Sequence, residues 1–316
     1  MTEITTLEQA YYDLIYNREN VIVQQKAVEL AARLVMENKK KLEVGTMAPL
    51  DLQSAQAQVA QNQAALLLAQ SQEGTQERAV KRLITENYTS WAMVELVPTE
   101  SLSAARPYLN LQDSWSQGLA KRPELIQARL DIDKQGITLK YDKNQLLPEL
   151  DVFGTFGYNG SGKEFSDALY DVQQRNEQFY TYGGQISLPL SNVGPRNTYH
   201  SDKALMEQLV LTYKRLQEGV LIDIDNDIGT VRANYDQVQA TKAYREYEEA
   251  ALDAEQKKLD SGKSTTYTVL QVQRDLTNAR GQEIQALDNF NKSLSQLSLH
   301  EGTTLERLGI KFEIKQ

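Results

Sequence analysis

Long stretches of this sequence contain nothing that would end an α-helix. From Leu7 to about Val44 there is neither glycine nor proline, and the 316-residue chain has only 7 prolines in all. Apolar residues recur in these stretches at spacings of seven, three and four, which is the period of a helix that packs along one face. The same spacing runs from about Asn197 to Leu259, where leucine, isoleucine and valine form a seam. The sequence therefore predicts a mainly α-helical protein built from long helices.

Two short glycine turns divide the long helices into pairs. Residues 45–49 (Gly-Thr-Met-Ala-Pro) precede a second helix at about 50–87, and residues 261–264 (Ser-Gly-Lys-Ser) precede a last helix at about 266–299. Glycine suits the position after a helix, and proline suits the first turn of the next helix. Because short loops join antiparallel neighbours, we predict two long antiparallel helical hairpins. The second helix is expected to pack through the stripe Ala57, Ala60, Ala64 and Leu67.

The segment between the two hairpins begins with a proline-containing connection and a third helix at about 123–145. Residues 150–190 then change to a period of two, in which apolar and polar positions alternate in two strands. Each strand has about ten residues, the length of a transmembrane β-strand. The alternative is an amphipathic hairpin on a soluble sheet. Taken alone, the pattern favours that alternative, because the signal of each strand is weak.

Composition excludes several classes of function. The chain has 34 Lys+Arg against 43 Asp+Glu, a formal net charge of −9, so no basic surface predicts nucleic-acid binding. It has no cysteine and only 2 histidines, His200 and His300, which lie far apart in sequence. Thiol chemistry, a histidine metal cluster and a Ser-His-Asp triad are therefore not expected. The first residues do not resemble a secretory signal. We predict no enzymatic activity, no metal and no cofactor.

Two local patterns imitate functional motifs. Residues 157–163 match the first seven positions of a phosphate-binding loop, but Glu164 stands where Ser or Thr must bind Mg²⁺. A glycine-rich loop is the better interpretation. Asp223 and Asp227 are four residues apart and share one face of a helix. Without a histidine or cysteine beside them they favour an acidic surface facing solvent or a lumen over a metal site.

The two glycine turns belong to an internal repeat. Residues 41–45 (Lys-Leu-Glu-Val-Gly) match residues 258–262 (Lys-Leu-Asp-Ser-Gly), and downstream Gln56 aligns with Gln273 and Ala69 with Ala286. A repeat of this size indicates duplicated architecture. We therefore expect both turns to lie at the same end of the molecule.

Five motifs, in this order along the chain, resemble the TolC family of outer-membrane efflux channels. They lie at residues 41–51, 122–125 (Arg-Pro-Glu-Leu), 147–150 (Leu-Pro-Glu-Leu), 187–190 (Ser-Leu-Pro-Leu) and 301–306. The resemblance covers nearly the whole chain. It implies an α-barrel protomer of long antiparallel helical hairpins, with one β-strand pair that contributes to an outer-membrane β-barrel.

The resemblance also implies partners and a location. Three identical protomers would close a barrel in the outer membrane of a Gram-negative cell and a helical tunnel in the periplasm. The hairpin tips would dock a periplasmic adaptor (membrane fusion) protein linked to an inner-membrane pump, in a tripartite efflux or type I secretion system. Transport through the channel would be passive. The alternative function is a periplasmic structural coiled coil or adaptor without channel activity, and the amphipathic strands argue against it.

The resemblance assigns three groups of site residues. The adaptor-docking tips would be Gly45, Thr46, Asp51, Gly262, Lys263 and Ser264. The periplasmic constriction would be lined by Asp51, Thr268, Gln271 and Asp275. For Asp51, an acidic residue that opposes the helix dipole is an equal alternative. The period of two adds a lipid-facing set, which consists of Tyr180, Tyr182, Ile186 and Leu188. Thr181, Gln185 and Ser187 would lie on the opposite face.

The expected domains are a first helical hairpin at 1–87, a connecting segment at 88–122, a second repeat at 123–299 and a tail at 300–316. The second repeat contains the β-hairpin 150–190 and the helical hairpin 197–299. Only one strand pair is present, so three protomers would supply six strands, fewer than the eight of the smallest bacterial barrels. We therefore expect a truncated chain that lacks the N-terminal part of the first repeat, which would also account for the missing signal.

Overall fold

A computed structural model describes residues 1–188 and 190–310 of the chain. Pro189 of the predicted strand region and residues 311–316 of the predicted tail lie outside the described residues. The elements are α1 (Thr2–Glu43), α2 (Pro49–Ile84), α3 (Tyr88–Trp91), α4 (Leu111–Lys121), α5 (Pro123–Asn144), β1 (Glu149–Asn159), α6 (Phe165–Gln174), β2 (Glu177–Ser187), α7 (Val193–Asp260), α8 (Thr266–His300) and α9 (Thr304–Arg307). The predicted mainly α fold with one strand pair is confirmed.

The chain forms two compact units. The first unit consists of residues 1–125 and 217–316, and the second consists of residues 126–216. The first unit therefore contains both glycine turns, and the second contains the strand pair with the helical segments that flank it.

The core of the first unit includes a narrow seam where α1 packs on α2 and α8. On α1 the buried aliphatic residues Ala27, Ala31 and Leu34 recur at spacings of four and three, as expected for one buried face of a helix. Ala55 of α2 and Ala279 of α8 are also fully buried. Small side chains at these points let the helix backbones approach closely.

The stripe predicted for α2 is wrong. Ala57, Ala60, Ala64 and Leu67 are exposed, and the buried positions of this helix include Ala55, Gln58 and Ala69 instead. The helix is rich in alanine on all sides, so its apolar pattern does not distinguish one face from another. Its buried face is therefore set by the packing on α1.

The two glycine turns have the same hydrogen-bonded geometry. Gly45 and Gly262 follow α1 and α7 with φ of 75° and 70°. In the first turn the N–H of Thr46 donates to Lys41 O at 2.9 Å and the N–H of Gly45 to Leu42 O at 3.0 Å. In the second turn the N–H of residue 263 donates to the carbonyl of residue 258 at 2.8 Å, and the N–H of Gly262 donates to the carbonyl of residue 259 at 3.1 Å. Both turns are Schellman motifs, which need a left-handed residue.

An ion pair connects the helix ends that precede the two turns. Lys41 Nζ lies 3.4 Å from Asp260 Oδ1. The prediction that both turns lie at the same end is therefore confirmed within the first unit. The repeat seen in the sequence corresponds to two hairpin turns of the same geometry, placed side by side.

In the second unit, β1 and β2 form a two-stranded antiparallel sheet in which Leu150 is opposite Ile186 and Phe156 is opposite Tyr180. Two glycines face aromatic rings across the strands. A Cβ at Gly183 would lie 2.6 Å from the Phe153 ring, and one at Gly157 would lie 2.6 Å from the Phe179 ring. The rings occupy the space that a side chain would need, so they cover the bare backbone of the opposite strand.

The connection between the strands differs from the predicted loop, because it contains the helix α6. Glycines of this segment touch α6 directly: a Cβ at Gly160 would lie 2.0 Å from Ala168 O, and one at Gly162 would lie 2.5 Å from Asp167 Cβ. These glycines therefore permit close packing of the helix. The preceding strand is antiparallel and exposed, unlike the buried parallel strand before a phosphate-binding loop.

We predict that Gly45→Ala and Gly262→Ala each destabilise the first unit. Nothing lies within 4 Å of a Cβ at either position, so the cost comes from the left-handed backbone and should be about 1–2 kcal/mol. Chemical unfolding measures the change. Gly219→Ala is the matched control, because this helical glycine also has an open Cβ direction and alanine there should stabilise by about 0.5–1 kcal/mol. Equal effects at all three positions would contradict the strained-turn assignment.

Candidate functional site

The predicted tip residues surround the two turns. Thr46 is exposed, and its hydroxyl donates to Lys41 O at 3.0 Å, beside the backbone bond of the turn. Lys263 is exposed at the equivalent place. Ser264 donates to the carboxylate of Glu255. Hydrogen bonds from Lys258 and then from Ser264 hold the pKa of Glu255 below its usual range.

The predicted constriction residues lie near the start of the helices that follow the glycine turns, α2 and α8. Asp51 is in the first turn of α2, partly exposed, where its charge opposes the helix dipole. Thr268 is in the first turn of α8, and its N–H donates to the capping hydroxyl of Thr265 at 3.3 Å. Gln271 is exposed and Asp275 partly exposed further along α8. In the described part of the chain, no hydrogen bond or ion pair joins Asp51 to the three α8 residues.

The sheet of the second unit has one apolar face. Tyr180, Tyr182 and Ile186 lie on it, together with their partners on β1. All are open to the surroundings: Tyr182 is 84% exposed and Val152 is 83% exposed. Leu188 follows the end of β2 and is also exposed. Thr181, Gln185 and Ser187 lie on the opposite face, with the two phenylalanines that cover the glycines.

Asp223 and Asp227 do not form the free acidic surface that the sequence favoured. Arg122 Nη1 donates to Asp223 Oδ2 at 3.2 Å, and His300 Nδ1 lies 2.5 Å from Asp227 Oδ2. Both carboxylates are therefore bound to basic groups from distant parts of the sequence. The Arg-Pro-Glu-Leu motif at residue 122 was the available signal for the first pair, but its partner could not be deduced from spacing.

These two ion pairs belong to a junction within the first unit. The indole of Trp115 donates to Leu221 O at 3.1 Å. Gly118 lies against α7 so closely that a Cβ would be 2.4 Å from Ile224 Cδ1. Lys121 pairs with Glu306 of α9. Contacts from α4 thus reach α7 and α9, while His300 at the end of α8 pairs with α7.

Within residues 1–188 and 190–310, no cluster of three or more histidine or acidic residues is arranged to hold a metal ion. None of the helices described has the length and apolar character required to span a bilayer.

Solved structures share this combination of long helical hairpins and a strand pair. The CmeC outer membrane channel of Campylobacter jejuni has a TM-score of 0.77 at 16% identity, covering 96% of this chain and 63% of CmeC. The outer membrane protein VceC of Vibrio cholerae has a TM-score of 0.77 at 18% identity, covering 94% of this chain and 69% of VceC. The MtrE outer membrane channel of Neisseria gonorrhoeae has a TM-score of 0.77 at 16% identity, covering 96% of this chain and 66% of MtrE.

The chain belongs to the outer membrane efflux protein family, whose sequence profile matches residues 115–303. The outer membrane protein TolC of Vibrio cholerae is 22% identical over 307 residues, which cover 93% of this chain and 68% of TolC. The resemblance noted in the sequence is confirmed. Members of this family are outer membrane channels rather than enzymes. The chain spans 63% of the length of CmeC and 68% of the length of TolC.

We predict that the His300–Asp227 pair makes stability depend on pH. The hydrogen bond with Asp227 raises the pKa of His300, against the opposing effect of burial. Folding therefore favours the imidazolium. Its contribution is fully present below the ordinary histidine pKa of about 6.5 and is lost as pH rises through the raised value. Asp227→Asn should lower the melting temperature more at pH 6 than at pH 9.

Asp225→Asn is the matched control for this prediction. Asp225 is exposed on the same helix, so its substitution should change the melting temperature equally at both pH values. A loss in Asp227→Asn that is the same at pH 6 and pH 9 would contradict the charged pair.

Proposed function

We propose that the chain is a protomer of a passive outer-membrane export channel in a tripartite efflux or type I secretion system. The observation that carries the proposal is the uncovered apolar face of the β-hairpin, in a chain of this family. An isolated two-stranded hairpin is marginal in water. A continuous exposed apolar face usually marks contact with a membrane or a protein. A lipid environment accounts for this face better than a periplasmic coiled coil does.

In this proposal the strand pair contacts outer-membrane lipid through Tyr180, Tyr182, Ile186 and Leu188. Thr181, Gln185 and Ser187 face the lumen. Both edges of the sheet carry unpaired backbone groups, which lipid cannot satisfy. Strands of further copies would pair with these edges and close a barrel. The location follows: the strand pair lies in the outer membrane and the helices lie in the periplasm.

The assembly we propose is a homotrimer whose helices form a tunnel. Exposed leucines on α2 support side-by-side packing of protomers: Leu67 is 66% exposed and Leu68 is 61% exposed. The functional parts would be the hairpin at 1–87, the connecting segment at 88–122, the second repeat at 123–299 and the tail at 300–316. The first hairpin would represent part of a first repeat.

The two turns would dock a periplasmic adaptor, which links the channel to an inner-membrane pump that supplies the energy. Support comes from their shared geometry and adjacent positions. The first turn also presents exposed apolar side chains, Val44 and Leu50, between polar residues, a composition suited to a protein contact. The docking residues would be Gly45, Thr46, Asp51, Gly262, Lys263 and Ser264.

Cysteine labelling tests the membrane assignment, since the chain has no cysteine of its own. Single cysteines at Tyr180, Tyr182, Ile186 and Leu188 should react with a lipid-soluble maleimide in outer membranes. Cysteines at Thr181, Gln185 and Ser187 should react with a water-soluble one. The control is a cysteine at Glu29, an exposed α1 residue, which should prefer the aqueous probe. Equal labelling of both strand faces would overturn the lipid-facing assignment.

The constriction is tested at Asp51. Copies of Asp51 near one axis would favour cations, with Thr268 and Gln271 adding no charge and Asp275 lying further along α8. Asp51→Asn should then reduce cation selectivity in planar bilayers under a salt gradient, with folding nearly unchanged. The helix-dipole role instead predicts a stability loss of about 0.3–1 kcal/mol. Glu29→Gln is the control. An unchanged reversal potential in Asp51→Asn would exclude Asp51 from the constriction.

A further inference from the structure

Two carboxyl groups face each other below the β-hairpin of the second unit. Asp142 lies near the end of α5, two residues before the helix ends, and Asp202 lies on α7. The carboxyl of Asp202 is within hydrogen-bonding reach of Asp142. Asp142 is only 7% exposed, although it is an acidic residue. A buried carboxylate requires a partner that neutralises it or donates to it.

The geometry of the two helices explains why these side chains meet. Helical side chains tilt toward the N-terminus of their own helix. The α7 helix begins after β2, so Asp202 reaches back toward the hairpin and toward the end of α5. The carbonyl of Asp202 points the other way, and Gln135 Nε2 donates to it at 3.2 Å. Asn192 adds a further bond, from its Nδ2 to Leu146 O at 3.1 Å.

In the described part of the chain, no cationic side chain pairs with either carboxyl group. Asp142 Oδ2 is buried without a hydrogen-bond donor. Asp202 is the charged group that faces Asp142 from α7, and among the described residues neither carboxylate has an ion pair with lysine, arginine or histidine. Two adjacent carboxylates without such a partner cannot both remain ionised at low cost, because like charges favour the protonated form of one of them.

We propose that Asp142 and Asp202 share one proton and form a pH-sensitive clasp between α5 and α7 at the base of the β-hairpin. The shared proton lies between one oxygen of each carboxyl group, so that one group donates to the other. Loss of this proton leaves two carboxylates in contact and weakens the clasp. Acidic conditions therefore hold the base of the hairpin closed.

The direction of the pH dependence follows from the geometry. The hydrogen bond with Asp202, and after it burial, raises the pKa of Asp142. A raised folded-state pKa gives stability that is complete below the ordinary aspartate value and is lost as pH rises through the raised value. Each pKa unit of the rise corresponds to about a tenfold change in the opening equilibrium.

The test is local opening of the full chain in detergent, measured by hydrogen–deuterium exchange of α5 peptides between pH 4 and pH 8 and corrected for intrinsic rates. Wild type should lose protection as pH rises. Asp142→Asn keeps a donor for Asp202 without a charge, so its protection should stay constant and exceed that of wild type at pH 8. Asp202→Asn tests the same point from α7 if the first variant folds poorly. Asp133→Asn, at an exposed position of α5, should retain the wild-type pH dependence.

Two outcomes would overturn the proposal. One is a pH dependence in both Asn variants equal to that of wild type, which would show that no proton is shared. The other is restored protection of wild type at pH 8 by Ca²⁺ or Mg²⁺, absent in Asp142→Asn, which would show a cation site instead.

Discussion

A long helical hairpin buries only a narrow stripe of each helix, and the rest of this structure depends on those stripes staying in register. Aliphatic contacts along such a stripe tolerate sliding, because one leucine or alanine resembles the next. Buried polar pairs do not tolerate such sliding, because each group needs its own partner. Asn38 Nδ2 donates to Thr266 Oγ1 at 3.4 Å in a buried contact between α1 and α8, and Lys292 of α8 joins Asp13 of α1 to the buried Asp288. A displaced helix would leave these groups unpaired, so they specify a single alignment.

Because the helices are aligned in this way, the two glycine turns lie side by side. Each turn ends its helix by the same pair of backbone bonds, and Lys41–Asp260 holds the preceding helix ends together. Further along the first unit, the pairs of Arg122 with Asp223 and of His300 with Asp227 connect segments that are distant in sequence. The proposed docking tips therefore stand on helices whose relative positions are fixed at several points, as a rigid contact surface requires.

The second unit differs from the first, because its strand pair has an apolar face that the described residues leave uncovered. Cross-strand rings cover the glycines on the opposite face, which stabilises the pairing but leaves the apolar face open. In the proposed function, the surroundings of the sheet rather than its own chain cover this face. The proposed Asp142–Asp202 clasp ties α5 to α7 at the base of this hairpin. The Asn192–Leu146 bond joins the residues that follow α5 and precede α7.

Local physics determined much of this protein from sequence. Helix ends, glycine turns and the two strands depend on neighbouring residues and on periodicity, so their predicted bounds lie within a few residues of the observed ones. The residues proposed as docking tips lie at or beside the turns, while their docking role stays a prediction. Only the tertiary structure revealed the buried face of α2, the helix α6, the burial of Asp142 and the partners of Asp223 and Asp227. An alanine-rich helix has no distinct apolar side, and a carboxylate's partner comes from a distant segment. These features depend on long-range contacts, and spacing in one sequence does not encode them.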